Sequence, residues 1–276
     1  MIADASSSKH ESAWIAKRGC FLGLPLDVVT MEEATRMIDE FVCGWNGGPS
    51  KAAFTLNAQA VHLALRDPDF ARLLQQADQI VADGMSIVWG ARFLGHPVPE
   101  RICTTDFVKP VARLCAEKGY SLYLLGGTTE VVQAAGAALQ NEFLDLKICG
   151  THHGYFDREQ NKEVVRDINE KAPSIVFVGR GRPRDEQWVI ENKNRLRVPV
   201  CMTCGGLYKF LTGTEGRAPQ WMRDAGLEWA YRLILDPRRM WKRYLTGNSE
   251  LVYHVLRARM TKKNPIEANY ERSTRG

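Results

Sequence analysis

No stretch of this 276-residue chain approaches the ~18 to 20 consecutive apolar residues that a membrane-spanning helix needs. Its first residues, MIADASSSKHESAWIAKRG, lack the apolar core of a secretory signal, which places the protein in the cytoplasm on this reading. Internal repeats and low-complexity tracts are missing, which sets repeat architectures aside. A disulfide framework is missing too: the seven cysteines lie scattered in apolar stretches, as suits a reducing compartment. The lone CxxC, Cys201 to Cys204, has neither the second pair nor the histidines that zinc would need. It sits in VPVCMTC, which reads as a strand rather than a helix start, so two buried core thiols are expected.

What is present is an ordinary globular composition, 45% hydrophobic, with an uneven charge. Residues 217–263 hold eleven Lys and Arg against four Asp and Glu, a net of +7, so the rest of the chain carries −2 of the total +5. After a polar leader, residues 1–18, CFLGLPLDVVT reads as two short strands around a turn. Thr30 and Glu33 form a capping box that opens an amphipathic helix running to about Trp45. Six apolar runs follow at 52–56, 79–82, 121–125, 146–150, 174–179 and 199–203, several of them separated by amphipathic segments. That alternation predicts an α/β fold: a mostly parallel, Rossmann-like sheet with helices on both faces, plus a helical basic C-terminal appendage. The expected division is 1–18 leader, 19–213 catalytic domain and 214–276 appendage.

In such sheets ligands bind at the carboxyl ends of the strands. Thr55 and Asn57, Asp83, Gly126-Gly127, Gly179-Arg180-Gly181 and Gly205-Gly206 all follow apolar runs, so five strand ends converge on small or polar residues. The two glycines of LLGGTTEVVQAA precede a helix capped by Thr128 or Thr129, a setting for phosphate, although packing explains such glycines equally well. In VGRGRPRDEQW, Arg180, Arg182 and Arg184 interleave with a second glycine turn and suit a diphosphate. The third glycine of GxGxxG is absent, which disfavours a dinucleotide-binding oxidoreductase.

The only DxD is Asp67-Pro68-Asp69, which reads as helix N-cap, first-turn proline and dipole partner rather than as a metal ligand. His152 and His153, adjacent on an extended segment, are expected to point opposite ways, so a joint metal site is not expected, though one of them is placed to line the crevice. Arg101 follows a Pro-rich loop and, on position alone, is as readily a solvated residue as a functional one. In the C-terminal segment, arginines accompany Trp221, Trp229, Tyr231, Trp241 and Tyr244, a mixture that suits an anionic membrane surface; a nucleic-acid surface competes for the same charge.

Taken together, FTLNAQAV, ADGMSIVW, ERICTTDF, YLLGGT, HGYF, VGRGRPRDEQW, CGGLYKFLTG, RAPQWM and LEWAYRLILDPRRMWKRYL resemble the successive blocks of glycosyltransferase family 26, in order from about Cys20 to Leu245. The resemblance implies inverting transfer of a sugar from a UDP-sugar to a polyprenyl-diphosphate-linked saccharide in exopolysaccharide or cell-surface polysaccharide synthesis. It implies no metal or other cofactor, a peripheral place on the inner face of the plasma membrane, and other polysaccharide-assembly enzymes as partners rather than nucleic acid. By the same resemblance Asp83 is the catalytic base, with Thr55, Arg101 and Asp185 beside it. Asn57, Gly126, Gly127, Gly179, Gly181, Glu186, Gly205 and Gly206 are expected to hold the donor, and Arg232, Arg239 and Arg243 the acceptor diphosphate.

One position departs: the family's Pro-Lys-Gln-Glu is here Pro183-Arg184-Asp185-Glu186, and a carboxylate cannot donate the hydrogen bonds of an amide. The plainer role for Asp83 is to cap the helix starting near Met85. Two other classes of function compete with transfer. One is a non-catalytic membrane-associated nucleotide-binding scaffold on the same fold, and the other is a nucleic-acid-binding protein using the basic tail.

Overall fold

The computed structural model describes residues 18–214, 216–224, 227–235, 237–261 and 266, with the side chains of 223, 224, 229, 232 and 238–247 outside the described set. Strands β1 (Arg18–Phe21) and β2 (Leu24–Asp27) pair antiparallel, and α1 (Met31–Cys43) follows. Thr30 Oγ1 accepts from the Glu33 amide while the Glu33 carboxylate accepts from the Thr30 amide, which is the expected capping box. The helix stops at Gly44, slightly before the predicted Trp45.

The body then runs β3 (Lys51–Leu56), α2 (Ala58–Arg66), α3 (Pro68–Gln75), β4 (Gln79–Ala82), α4 (Met85–Phe93) and α5 (Thr104–Lys118). It continues with β5 (Ser121–Gly126), α6 (Thr129–Glu142), β6 (Lys147–His152), α7 (Gln160–Lys171), β7 (Ile175–Gly179), α8 (Arg184–Asn192), β8 (Val200–Thr203) and α9 (Leu207–Leu211). Helices α10 (Gln220–Asp224), α11 (Glu228–Leu235) and α12 (Pro237–Thr261) complete the described chain.

Strands β3 to β8 form one six-stranded, wholly parallel sheet in the order β4-β3-β8-β7-β5-β6. Parallel crossovers are right-handed, so the direction of each step along the sheet dictates which face its helix covers. The steps β3 to β4, β6 to β7 and β7 to β8 run one way, and α2, α3, α7 and α8 share one apolar cluster. The steps β4 to β5 and β5 to β6 run the other way, and α5 and α6 share the opposite cluster with α1 and α9. Strand side chains divide with period two: Val176 and Val178 enter the first cluster, Ile175 and Phe177 the second. Helix α4 stays on the first face, and the chain then passes round the β4 edge to reach α5.

The β4 edge is covered rather than left bare. Asp27 of the hairpin accepts from the Ile80 amide at 2.7 Å and pairs with Arg18, while Ile102 donates to the Ala82 carbonyl at 2.8 Å. Helix α12 returns to the body, with Leu251 and Val255 in the same cluster as α2 and α4, and Glu250 paired with His62 and Arg66 of α2. No described helix is long and apolar enough to cross a membrane.

Candidate active site

Because every strand of the sheet is parallel, their carboxyl ends share one edge, and the glycine turns there interlock. Gly126 has φ +144°, and a Cβ on it would overlap the Gly179 carbonyl. A Cβ on Gly179 would lie 2.7 Å from the Tyr208 ring and 2.9 Å from the Gly205 oxygen. Backbone bonds continue across these turns: Gly127 donates to Gly179, Gly154 to Gly127, and Cys204 to Val178. Both glycines are therefore required by close strand approach. By contrast, nothing lies within 4 Å of a Cβ at Gly181 or Gly206, where the edge is open to an approaching group.

Asp83 stands half-buried just past β4, and it does not cap α4. That helix has Gly84 as its N-cap, with no side-chain cap bond. The Asp83 Oδ2 instead accepts from Asn57 Nδ2 at 3.3 Å. Asn57 caps α2 through Oδ1, which accepts from the Ala60 amide at 3.0 Å and from an Arg182 terminal nitrogen at 2.7 Å. The other terminal nitrogen of Arg182 donates to the carbonyl of Thr55, a buried residue, at 2.7 Å, and its Nε donates to Glu186 at 2.6 Å. A continuous polar chain thus runs Glu186, Arg182, Asn57, Asp83. Glu186 is fully buried, and its Oε2 has no hydrogen-bond partner among the described residues.

The stretch that passes round the β4 edge brings Arg101 and Cys103 into electrostatic reach of Asp83. Arg101 donates to Glu228 of α11 at 2.9 Å and lies 3.5 Å from Asp106, which also pairs with Arg217 at 2.8 Å. Burial disfavours its charge, but the carboxylates of Glu228 and Asp83 favour it, and the guanidinium pKa is held above its ordinary value. Burial, with the charge of Asp83 added, pushes the Cys103 thiol up to about 12, which keeps it protonated.

Asp185 is buried beneath the edge, where its carboxylate accepts from the Arg180 amide and from the Gly205 amide at 3.1 Å. Both partners are donors, so an acceptor-only side chain suits the position. Desolvation, reinforced by the charge of Glu186, pushes its pKa up to about 7. The interleaved arginines divide their duties. Arg180 lies 4.0 Å over the Phe156 ring and donates to the Gly154 and Phe156 carbonyls, Arg182 turns inward, and Arg184 is exposed. A ready-made diphosphate cradle of all three is therefore not what the fold builds.

Other expectations are settled locally. Asp67 caps α3, accepting from the Asp69 and Phe70 amides with Pro68 in the first turn. Thr128 caps α6. Cys201 and Cys204 are buried thiols, Cys201 pushed up to about 12 by burial. The histidines differ from expectation: the rings of His152 and His153 lie 4.5 Å apart, because β6 ends at His152 and the strand alternation ends with it. They line, with Phe156 and α7, a depression of about 310 Å³ outside the crevice of Asp83. Arg232, Arg239 and Arg243 lie on α11 and α12, but their side chains are outside the described residues.

The sequence singled out Arg182 only as one of three arginines and passed over Glu228. The spacing of Arg182 and Glu186, one helical turn apart, was the available signal for the first. Nothing local marks the second, whose partner lies 127 positions away.

The model of the glycosyl transferase WecG/TagA/CpsF family matches residues 20–265. Enzymes named N-acetylglucosaminyldiphosphoundecaprenol N-acetyl-beta-D-mannosaminyltransferase, from Staphylococcus aureus strains NCTC 8325 / PS 47, COL and MRSA252, are each 32% identical over 222 residues, spanning 80% of this chain and 85% of theirs. With the parallel sheet and its polar carboxyl edge, these matches establish that the chain is a glycosyltransferase of the WecG/TagA/CpsF family.

Proposed function

We propose that the protein transfers a sugar from a UDP-sugar to a polyprenyl-diphosphate-linked saccharide, with inversion and without a metal ion. The observation that carries this reading is a half-buried carboxylate, Asp83, held by a donated amide hydrogen at the carboxyl edge of a parallel sheet, within electrostatic reach of Arg101. The names of the Staphylococcus aureus relatives support the lipid-linked acceptor and put N-acetylmannosamine first among donors, ahead of its uronic acid and glucose.

In the proposed step Asp83 takes the proton of the acceptor hydroxyl as that oxygen attacks the anomeric carbon. The bond from that carbon to the UDP oxygen breaks on the opposite face, and the electron pair leaves with UDP. General-base help of this kind is worth ~10² to 10⁴ in rate. Charge growing on UDP is met by backbone amides at the open turns of Gly181 and Gly206 and by arginines. Asp185 and Glu186 support those turns from below. Arg232, Arg239 and Arg243 are assigned to the acceptor diphosphate.

The segment from 214 onward is the proposed contact with an anionic membrane surface on the cytoplasmic side. Trp221, Ile234, Leu235, Tyr253 and Met260 are all exposed there, alongside the net charge of +7 over residues 217–263. Nucleic acid is not a proposed partner, and contact with other polysaccharide-assembly enzymes remains part of this reading.

A UDP-release assay tests the whole proposal, using UDP-N-acetylmannosamine, its uronic acid and UDP-glucose with a short-chain polyprenyl-diphosphate-linked sugar, EDTA and anionic vesicles. Acceptor-dependent release from one donor is expected. Release that requires added divalent metal contradicts the metal-free step, and no release from any donor contradicts the transferase reading itself.

A further inference from the structure

Among the described residues Arg182 makes four hydrogen bonds, none with an exposed group: to Glu186, the Asn57 Oδ1, and the carbonyl and, more distantly at 3.5 Å, the hydroxyl of Thr55. Its side chain is 11% exposed and that of Glu186 1%. A guanidinium presents fixed planar donors, and here they join the start of α8 to the end of β3 and the cap of α2.

The contact with Asn57 carries most information. An amide can be placed either way round, and only its neighbours decide which atom is oxygen. Two of the neighbours here, the Ala60 amide and the Arg182 guanidinium, are obligate donors, so the atom facing them is Oδ1. Nδ2 is then compelled to face Asp83 and donate to it.

We propose that Arg182 is a positioning residue which, by claiming the carbonyl oxygen of Asn57, locks the amide with its N–H toward Asp83 and so aims the Asp83 carboxylate at the acceptor hydroxyl. This rests on the reading of Asp83 as the base. Arg182 touches neither substrate on this account; it acts through Asn57. Glu186 holds the guanidinium in place from below.

The test compares Arg182→Ala, Arg182→Lys, Asn57→Asp and the Arg182→Ala/Asn57→Asp double variant with wild type and Asp83→Asn, in UDP release with the full-length protein. Asn57→Asp is the most discriminating change, because aspartate caps a helix as well as asparagine and keeps the acceptor used by Ala60 and Arg182. It replaces the donor that faces Asp83 with a second carboxylate oxygen, so kcat is compared on the high-pH plateau of each variant, where like-charge repulsion no longer keeps the base protonated. Misdirecting a reacting group costs ~10²-fold in rate. The expected result is a loss of about that size in kcat for Arg182→Ala and Asn57→Asp, with KM for donor and acceptor little changed. The double variant should be no worse than either single one, since both act on one contact. Lysine, lacking the planar fork, should not restore kcat.

Arg182→Ala leaves the Glu186 carboxylate buried beside a lost partner, so Arg182→Ala/Glu186→Gln is included to relieve that burial, and it is expected to lose kcat in the same way. Additive losses, near-normal kcat in Asn57→Asp, or rescue by lysine would overturn the positioning role while leaving Asp83 as base. Near-normal kcat in Asp83→Asn would overturn the base reading and this inference with it.

Discussion

Arg101 and Glu228 meet at 2.9 Å although 127 positions separate them, and both side chains are largely shielded, at 15% and 9% exposure. The pair fastens α11 to the loop that brings Arg101 near Asp83. Asp106 and Arg217 add a second stitch at 2.8 Å, between the first turn of α5 and the segment before α10. The C-terminal helices are thus tied to the chemistry of the crevice as well as to the core beneath α12.

If that tie matters, Glu228→Ala leaves a shielded guanidinium without its main partner. Removing one member of a buried pair costs ~3 to 5 kcal/mol, and partial exposure here reduces the expectation to roughly 1 to 3 kcal/mol. Glu228→Gln keeps an acceptor and should cost less. Chemical denaturation measures the loss. Limited proteolysis should also cut residues 214–227 sooner in Glu228→Ala, and an unchanged cleavage rate would argue that the stitch is dispensable.

Gly126→Ala tests the interlocked turns. Its Cβ would overlap the Gly179 carbonyl at a backbone φ of +144°, and backbone has little room to yield. Overpacking and strain together predict a loss of about 3 kcal/mol or more, read as a lowered denaturation midpoint. Gly206→Ala is the matched control: with open space and an ordinary φ of −84°, its stability should stay within about 0.5 kcal/mol of wild type.

Asp185 predicts a pH effect of definite sign. An unfolded aspartate titrates near ~3.9, whereas desolvation holds the folded group at about 7. Between those values the folded state binds the extra proton, so this group's contribution to stability falls as pH rises from about 4 to about 7 and is level above. Asp185→Asn removes the titration. The melting temperature of the variant relative to wild type should therefore climb across that window and then plateau. A difference that stays flat from pH 4 to 8 would show that Asp185 titrates normally.

Much of the fold was legible because near-continuous apolar runs between amphipathic segments admit few arrangements other than a covered parallel sheet. All six predicted strands of that sheet are found, with ends within about two residues. The convergence of strand ends was legible for the same reason, since parallel strands must share one carboxyl edge. Local rules also sufficed for Thr30, Asp67 and Thr128, whose caps depend on residues two or three positions away.

Direction of side chains at the edge was not legible. Arg180, Arg182 and Arg184 look alike in sequence, and only the turn after β7 sends one over an aromatic ring, one inward and one to the surface. Asp185 looked like a lost amide, and the two amides it accepts from explain why a carboxylate fits. Asp83 looked capable of capping α4, a role that the backbone gives to Gly84 instead. Pairs such as Arg101 with Glu228 are set by tertiary approach across most of the domain, which no local pattern encodes.

The most direct test of the account is single-turnover sugar transfer by Asp83→Asn against wild type, with UDP-N-acetylmannosamine and a lipid-diphosphate-linked sugar, and circular dichroism to show that both are folded. Asparagine preserves size and an acceptor for Asn57 Nδ2 but cannot take a proton. The account predicts a chemical step slowed ~10² to 10⁴-fold, with donor binding close to wild type. A folded Asp83→Asn protein that transfers sugar within a few-fold of the wild-type rate would contradict it.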